Sequence, residues 1–307
     1  MKPSKSATGE KTRPPTQCPY CKGSSPLLVL SGDRNRQTTN EQFAYYQCER
    51  CALVFMDPIP DDLSPFYAGG YQALPENLEG LRAIAKNESY RLEPVLRYKR
   101  AGELLEIGPW MGIFAVNARD AGFSVSAIEI DERCVRFLRD VVGIDATQSA
   151  DPVAALRGMQ QSFDVIVLWH CLEHLREPWK TLEEAAKRLK PGGILLVSLP
   201  NIESFEFTHL QDRWINLDTP RHLHFYPRRS LRTLMNGFGL VEREARSDDR
   251  LSSEFRNGTW AAQAQKRMPV RGVRRVVFHA MRAWALRQEA KQEDAGPSLT
   301  AVFERPR

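Results

Sequence analysis

Leu104-Leu105-Glu106-Ile107-Gly108-Pro109-Trp110-Met111-Gly112 is the stretch of sequence that decides the fold. Residues 104–107 predict a short apolar strand, residues 108–112 a tight turn, and Ile113–Ala121 a helix. A strand, a glycine-bearing turn and a helix in this order form a ligand site at the carboxyl end of a parallel sheet. Gly108 lets the backbone approach a ligand closely, and the helix N-terminus favours a carboxylate.

Further along the chain, predicted strands alternate with predicted helices. The predicted strands are Phe123–Ile128, Phe163–Leu168, Ile194–Leu199 and Leu299–Glu304, and the predicted helices are Leu81–Tyr98, Glu132–Val142, Thr181–Leu189 and Arg271–Gln288. This alternation indicates right-handed βαβ units, and therefore an α/β fold with a parallel sheet covered by helices on both faces.

An acidic residue, Glu129, follows the turn by about 20 positions and ends the second predicted strand. A carboxylate there can accept hydrogen bonds from both ribose hydroxyls of a nucleotide-like ligand. Taken alone, Glu129 is equally an ordinary strand-end residue, but the glycine turn at this spacing favours the ligand. A dehydrogenase would prefer G-x-G-x-x-G, which residues 108–112 do not supply, and no G-x-S-x-G of a hydrolase is present.

With these residues the chain resembles the class I S-adenosylmethionine (SAM)-dependent methyltransferases. Glu106, Gly108 and Gly112 match the acidic-x-Gly-x-Gly-x-Gly signature of that family, while Trp110 stands where its middle glycine usually lies. Residues 163–201, FDVIVLWHCLEHLREPWKTLEEAAKRLKPGGILLVSLPN, resemble the fourth strand, following helix and fifth strand of small-molecule methyltransferases. The resemblance covers Leu104 to about Arg246.

The resemblance implies a fold, a cofactor and a set of cofactor-binding residues. The fold is a Rossmann-like, seven-stranded, mostly parallel sheet with helices on both faces, and the cofactor is SAM. The residues expected to bind SAM are Glu106, Gly108, Gly112, Glu129, Asp151 and Trp169. Of these, Asp151 is expected near the adenine, and Trp169 next to the methionine and the transferred methyl group.

Histidines supply candidates for the chemistry. His170 and His174 flank Glu173 in one turn after the third predicted strand, and His222 follows later. Methyl transfer to a hydroxyl needs a base, and histidine suits that task near neutral pH; His170, His174 and His222 are therefore the catalytic candidates, with Arg221 as a substrate anchor. The turn also resembles an acid-x-x-Glu-His metal site in which His170 replaces the first acid. A divalent metal at His170, Glu173 and His174, or a structural role, stays open.

Two CxxC pairs, Cys18–Cys21 and Cys48–Cys51, predict a closed four-thiolate zinc site with a structural role. Cys134 and Cys171 are expected to be ordinary thiols. A zinc ribbon that grips nucleic acid is disfavoured by acidic residues in the same segment, Asp33, Glu41 and Glu49. Zinc knuckles before a methyltransferase core are similar to an arrangement in bacterial sugar and polysaccharide methyltransferases.

The sequence thus predicts four segments: a disordered tail (1–16), a zinc-ribbon module (17–58), a linker with capping helices (59–100) and a SAM-dependent methyltransferase domain (101–307). Lys and Arg number 43 against 38 Asp and Glu, a mild excess that disfavours nucleic acid as partner. No run approaches the ~18 apolar residues of a membrane span, and residues 1–17 lack a signal-peptide core, so a cytoplasmic location is expected.

The expected function is methyl transfer from SAM to a small-molecule or glycan acceptor, at oxygen. Two alternatives stay open: a non-catalytic zinc-ribbon scaffold with a degenerate methyltransferase fold, and a nucleic-acid methyltransferase. Salt-dependent nucleic-acid binding would favour the latter. The sequence leaves the oligomeric state open.

Overall fold

The computed structural model describes residues 13–67, 73–248, 250–267, 271–292 and 294–307. Residues 1–12 of the predicted disordered tail lie outside the described residues. The strands, numbered along the chain, are β1 (Thr16–Gln17), β2 (Ser24–Ser25), β3 (Leu27–Gly32), β4 (Gln42–Gln47), β5 (Val54–Met56), β6 (Gly102–Ile107), β7 (Phe123–Glu129), β8 (Asp145–Gln148), β9 (Phe163–Trp169), β10 (Leu189–Pro200), β11 (His224–Phe225), β12 (Val241–Arg246) and β13 (Ser298–Glu304).

Seven of these strands form one sheet in the order β12-β13-β10-β9-β6-β7-β8. Only β13 runs antiparallel to its neighbours in this sheet, and the other pairs are parallel. Successive side chains of β9 point to opposite faces of the sheet. Ile166 and Leu168 belong to one apolar cluster, and Val165 and Val167 belong to another. Because both faces are covered, β9 carries an unbroken apolar run. The predicted Rossmann-like α/β sheet is confirmed.

Ten helices accompany these strands among the described residues. They are α1 (Leu78–Ala85), α2 (Glu93–Leu96), α3 (Ile113–Asp120), α4 (Glu132–Phe137), α5 (Pro152–Gly158), α6 (Pro178–Arg188), α7 (Phe205–Leu210), α8 (Arg228–Gly237), α9 (Arg250–Arg267) and α10 (Arg271–Glu289). None of them is both long and apolar enough to cross a lipid bilayer.

Two helix predictions need correction. The single helix expected over Leu81–Tyr98 is wrong: α1 ends at Ala85, a 3-10 turn spans Lys86–Leu92, and α2 begins at Glu93. Pro94 lies in the first turn of α2, where its missing N–H costs nothing and its ring fixes the helical φ, so a new helix begins there. The helix expected over Glu132–Val142 stays α-helical only to Phe137 and closes with a π turn.

The cysteine-bearing N-terminal segment packs against the large sheet. Its four-stranded antiparallel sheet has the order β11-β5-β4-β3, so β11, which follows the large sheet's fifth strand in sequence, completes it. Tyr46 and Phe55 belong to the same apolar cluster as Ile166 and Leu168 of β9. The boundaries of the four segments, at residues 16, 58 and 100, stay a prediction.

Candidate functional site

The turn after β6 has three residues in the left-handed region of φ: Gly108 at 74°, Trp110 at 53° and Gly112 at 87°. A Cβ on Gly108 would lie 2.6 Å from the Cys171 sulfur, and one on Gly112 would lie 2.6 Å from a Leu138 methyl carbon. Glycine is therefore required at both ends of the turn, for φ and for space. The contact with Cys171 also shows that the turn after β9 touches the turn after β6.

Glu129, at the end of β7, holds this turn through its carboxylate. Oε2 accepts a hydrogen bond from the Trp110 N–H at 2.9 Å, and Oε1 accepts from the N–H groups of Ile130 at 2.8 Å and Asp131 at 3.0 Å. Burial raises the pKa of Glu129, and the three N–H donors oppose that rise. The carboxylate is thus fixed beside the glycine turn before any ligand arrives.

Glu106 lies beneath the same turn with 2% of its surface exposed. Burial raises its pKa to about 8, against the opposing charge of Arg91, and its Oε2 has no hydrogen-bond partner among the described residues. Sequence reasoning missed Arg91, whose guanidinium carbon lies 5.7 Å from the centre of the Trp169 ring. Because Arg91 comes from a 3-10 turn outside any recognised motif, only the fold reveals its position.

The remaining predicted cofactor residues, Asp151 and Trp169, follow or end strands β8 and β9. Asp151 caps α5, its carboxylate accepting from the N–H groups of Val153 at 2.9 Å and Ala154 at 3.1 Å. Trp169 is buried, and its indole nitrogen has no hydrogen-bond partner among the described residues. All six predicted cofactor residues therefore lie at the carboxyl-end edge of the sheet or on the strands that lead to it.

A cavity of about 240 Å³ opens beside Trp169, between the 90–97 segment and strands β12 and β13. Tyr90, Arg91, Arg246 and Thr300 are among its lining residues. The Thr300 hydroxyl lies 3.0 Å from that of Ser198, which in turn lies 3.4 Å from Nε2 of His170. Trp169 thus lines the cavity, and the hydroxyls of Thr300 and Ser198 connect the cavity with His170.

Three histidines surround Glu173, which is fully buried. Its Oε1 lies 3.1 Å from Nδ1 of His170 and 4.0 Å from Nε2 of His222. Burial would raise the pKa of Glu173, but the hydrogen bond from His170 and the nearby imidazoles lower it below its ordinary range. His170 has φ 48°, a left-handed turn that directly follows β9.

His174 and His222 each place a ring nitrogen against a backbone carbonyl oxygen. Nδ1 of His174 lies 3.1 Å from the Arg221 carbonyl oxygen and 3.0 Å from the Tyr67 hydroxyl, and burial lowers the His174 pKa to about 4. Nδ1 of His222 lies 2.8 Å from the Asn216 carbonyl, so it donates there and leaves Nε2 to face the carboxylates. Tyr67 was not anticipated, because one tyrosine in an irregular segment carries no signal.

One set at this centre has metal-ligand geometry: oxygen or nitrogen atoms of Glu173, His174 and His222 lie within 4.8 Å of one another. The sequence suggested His170 in place of His222; His170 is outside this set. Arg221, the suggested substrate anchor, forms an ion pair with Asp218 and lies over the Tyr67 ring.

The four cysteines of the two CxxC pairs converge, with their sulfurs all within 4.8 Å of one another. The separations are 3.7 Å between Cys18 and Cys51 and 3.4 Å between Cys21 and Cys48. Four sulfurs about 2.3 Å from one tetrahedral ion would be about 3.8 Å apart. The cluster therefore fits a four-thiolate zinc ion.

The chain is similar to known methyltransferases in sequence and in fold. A family model described as "Methyltransferase domain" matches residues 80–244, more than half of the chain. The chain belongs to this methyltransferase family. A solved SAM-dependent methyltransferase from Archaeoglobus fulgidus shares the fold, with TM-score 0.50, 16% identity, and 72% of this chain and 94% of that chain covered. The methyltransferase identity predicted from the glycine turn and residues 163–201 is confirmed, and SAM is its cofactor.

Curated relatives are matched over only part of their length. A ubiquinone biosynthesis O-methyltransferase of Caulobacter vibrioides is 31% identical over 105 residues, which cover 32% of this chain and 40% of that protein. One from Thiobacillus denitrificans is 27% identical over 133 residues, covering 40% of this chain and 56% of that protein. The chain thus spans about half the length of these relatives.

Proposed function

We propose that this methyltransferase transfers the methyl group of SAM to an oxygen atom of a small-molecule or glycan acceptor, with His170 as the general base. The observation that carries the proposal is the hydrogen bond between Nδ1 of His170 and buried Glu173, directly after the strand that ends in Trp169. The O-methyltransferase names of the partly matched relatives support oxygen as the target.

Residues on the sheet edge fit the cofactor. Glu129 would accept the ribose hydroxyls, and the turn at Gly108 and Gly112 would allow close backbone approach to the methionine part. Arg91, whose Nε has no hydrogen-bond partner among the described residues, is suited to the cofactor's carboxylate. Asp151 would lie by the adenine, and Trp169 by the methyl group. Bound SAM supplies a methyl group on an already activated sulfonium.

The chain's own contribution to the reaction is positioning and proton removal. Glu173 accepts from Nδ1–H of His170, which fixes the tautomer and leaves Nε2 to take the proton of an acceptor hydroxyl. His170 keeps 19% of its side chain exposed, more than the 11% of His222. In contrast, the lowered pKa of His174 makes it a poor base near neutral pH.

A divalent metal at Glu173, His174 and His222 is the second candidate for this centre. It is favoured by Glu173 Oε2, which is buried with no hydrogen-bond partner among the described residues, and by the closeness of the three ligand atoms. Two imidazoles and one carboxylate with an open position suit a divalent ion that binds acceptor oxygens. His170 would then orient Glu173 and would not remove the proton.

A structural zinc ion bound by Cys18, Cys21, Cys48 and Cys51 completes the proposal. Four thiolates leave no open coordination position, so the ion would fix the two knuckles against the sheet and take no part in methyl transfer.

The test combines cofactor binding with turnover. Calorimetry should show binding of S-adenosylhomocysteine, and SAM should release S-adenosylhomocysteine when catechol or methyl glucoside is present as the probe acceptor. His170→Asn is the informative variant, because asparagine tolerates a left-handed φ and keeps an N–H donor for Glu173 but cannot act as the base. Turnover should fall about 10²- to 10⁴-fold at unchanged affinity for S-adenosylhomocysteine.

Three results would contradict the proposal. Absence of S-adenosylhomocysteine binding would favour the scaffold alternative. Methylation of RNA or DNA, with neither small acceptor methylated, would favour the nucleic-acid alternative. Full turnover in His170→Asn would remove His170 as the base.

A further inference from the structure

The helical hairpin α9–α10 carries a concentration of positive charge that the proposed function does not use. Residues 266–291 contain eight Lys or Arg and one acidic residue, Glu289, whereas the whole chain has 43 Lys and Arg against 38 Asp and Glu. Glu289 is buried and paired with Arg256 of α9 at 2.5 Å, so it does not offset this charge at the surface. With eight basic residues and one acidic residue, residues 266–291 have a formal charge of +7, which exceeds the net charge of +5 of the whole chain.

The outer face of α10 is apolar. Val276 is 69% exposed and Val273 47%, both high for an apolar side chain. Together with the exposed Ala280 and Ala283 they follow the three- and four-residue repeat of a single helix face. The opposite face, which includes Ala285 and Glu289, is buried. One face of α10 thus packs against the rest of the protein, and the other face exposes a narrow stripe of apolar side chains to solvent.

Basic side chains lie beside this stripe. Arg275 and Arg287 are exposed on α10, and Lys291 follows its end. A helix with outward apolar residues and exposed arginines has the composition of helices that lie in the plane of a membrane surface. RNA would match the charge but not the exposed valines, and a second copy of this chain would bring a second basic helix against the first.

We infer that α10 docks the methyltransferase on an anionic lipid surface, with Val273 and Val276 entering the headgroup region and the arginines contacting lipid phosphates. The same hairpin reaches the candidate site, since Phe255 of α9 packs 4.9 Å from His170, measured between ring centres. Docking would therefore set the candidate site close to the lipid surface. The inference does not depend on the identity of the acceptor.

The test is co-sedimentation of the full chain with vesicles of phosphatidylcholine alone and of phosphatidylcholine mixed with phosphatidylglycerol. We expect binding only to the anionic vesicles, weakening with added salt. Val276→Glu should reduce binding at least about tenfold, because it places a charge in the apolar stripe. Val241→Glu is the matched control, because Val241 is 47% exposed on β12, and it should bind as the wild type does. Arg275→Ala and Arg287→Ala should each reduce binding about fivefold.

S-adenosylhomocysteine binding, measured on each variant, reports that the fold is intact and separates failure of this inference from failure of the proposed function. Equal binding to both kinds of vesicle, or unchanged binding in Val276→Glu, would overturn the inference. Binding of polyuridylate that survives Val276→Glu, without vesicle binding, would assign the surface to RNA. A dimer that Val276→Glu dissociates, again without vesicle binding, would assign it to a second copy.

Discussion

Replacing Glu129 by glutamine tests the cofactor site with the smallest change of shape. Oε1 of Glu129 accepts two N–H groups, from Ile130 and Asp131, and Oε2 accepts the N–H of Trp110. A glutamine can keep its oxygen toward the first pair, but its NH₂ group then faces the Trp110 N–H, and two donors cannot bond. Glu129→Gln therefore removes the negative charge that would bind the ribose and loosens the glycine turn.

The magnitude follows from these contacts. Loss of one charge-assisted hydrogen bond to the ribose corresponds to about 1.5–3 kcal/mol, which is about a 10- to 150-fold loss of affinity. Loosening of the turn adds to this, because the Trp110 N–H of the cofactor turn loses its acceptor. We therefore expect S-adenosylhomocysteine to bind Glu129→Gln at least about tenfold more weakly in isothermal titration calorimetry.

Asp131→Asn is the matched control, because it removes the same charge two residues away. The Asp131 carboxylate pairs with the Arg133 side chain at 2.7 Å and accepts the Arg133 N–H at the start of α4. Because asparagine caps a helix as well as aspartate does, only the exposed ion pair is lost, so stability should fall by less than about 1 kcal/mol and the affinity should stay unchanged. Equal affinity of Glu129→Gln and the wild type, or an equal loss in both variants, would refute this reasoning.

Three further predictions concern metals and pH. Protein prepared without chelators should contain about one zinc per chain by metal analysis, bound by the four-cysteine cluster; a zinc-free preparation would contradict the cluster's proposed role. If His170 is the base, mild chelation that spares this zinc should leave turnover unchanged; turnover that is lost on chelation, restored by magnesium or manganese and absent in Glu173→Gln would establish the metal alternative. Burial lowers the pKa of His224 to about 4, so the unfolded chain takes up this proton near pH 6.5 and the folded chain does not. The part of the folding stability that depends on His224 should fall by about 1.4 kcal/mol per pH unit as the pH drops from 6.5 toward 4, and urea titrations of His224→Asn should show a shallower fall.

The cofactor edge was predictable because its residues are tied to strand ends. Strands buried on both faces appear in the sequence as apolar runs, as at residues 165–168. The carboxyl ends of neighbouring parallel strands meet at one edge, so Glu129 and Trp169 had to lie near the glycine turn. Periodicity and spacing therefore predicted the α/β class and the place of Glu129, and the family resemblance added Asp151 and Trp169.

The rest of the site depends on contacts between distant segments, for which periodicity gives no signal. Arg91 reaches Trp169 from a 3-10 turn, Tyr67 reaches His174 from an irregular segment, and His222 approaches Glu173 from just before β11. The partnership of Glu173 with three histidines therefore appears only in the folded chain. Helix α9 was also missed, because its polar sequence has no clear apolar periodicity, although its Phe255 packs against His170.

Trp110 was the residue that motivated the scaffold alternative, and its conformation argues against a degenerate turn. A glycine at this place in the family signature permits a left-handed φ, and Trp110 adopts one, 53°. Holding a bulky residue there costs about 1–3 kcal/mol, which its hydrogen bond to Glu129 and its packing against the apolar cluster around Val165 and Val167 offset. The turn therefore has the left-handed backbone that a glycine would give at this position, and we expect the tryptophan to change the side-chain surface of the site and not its backbone.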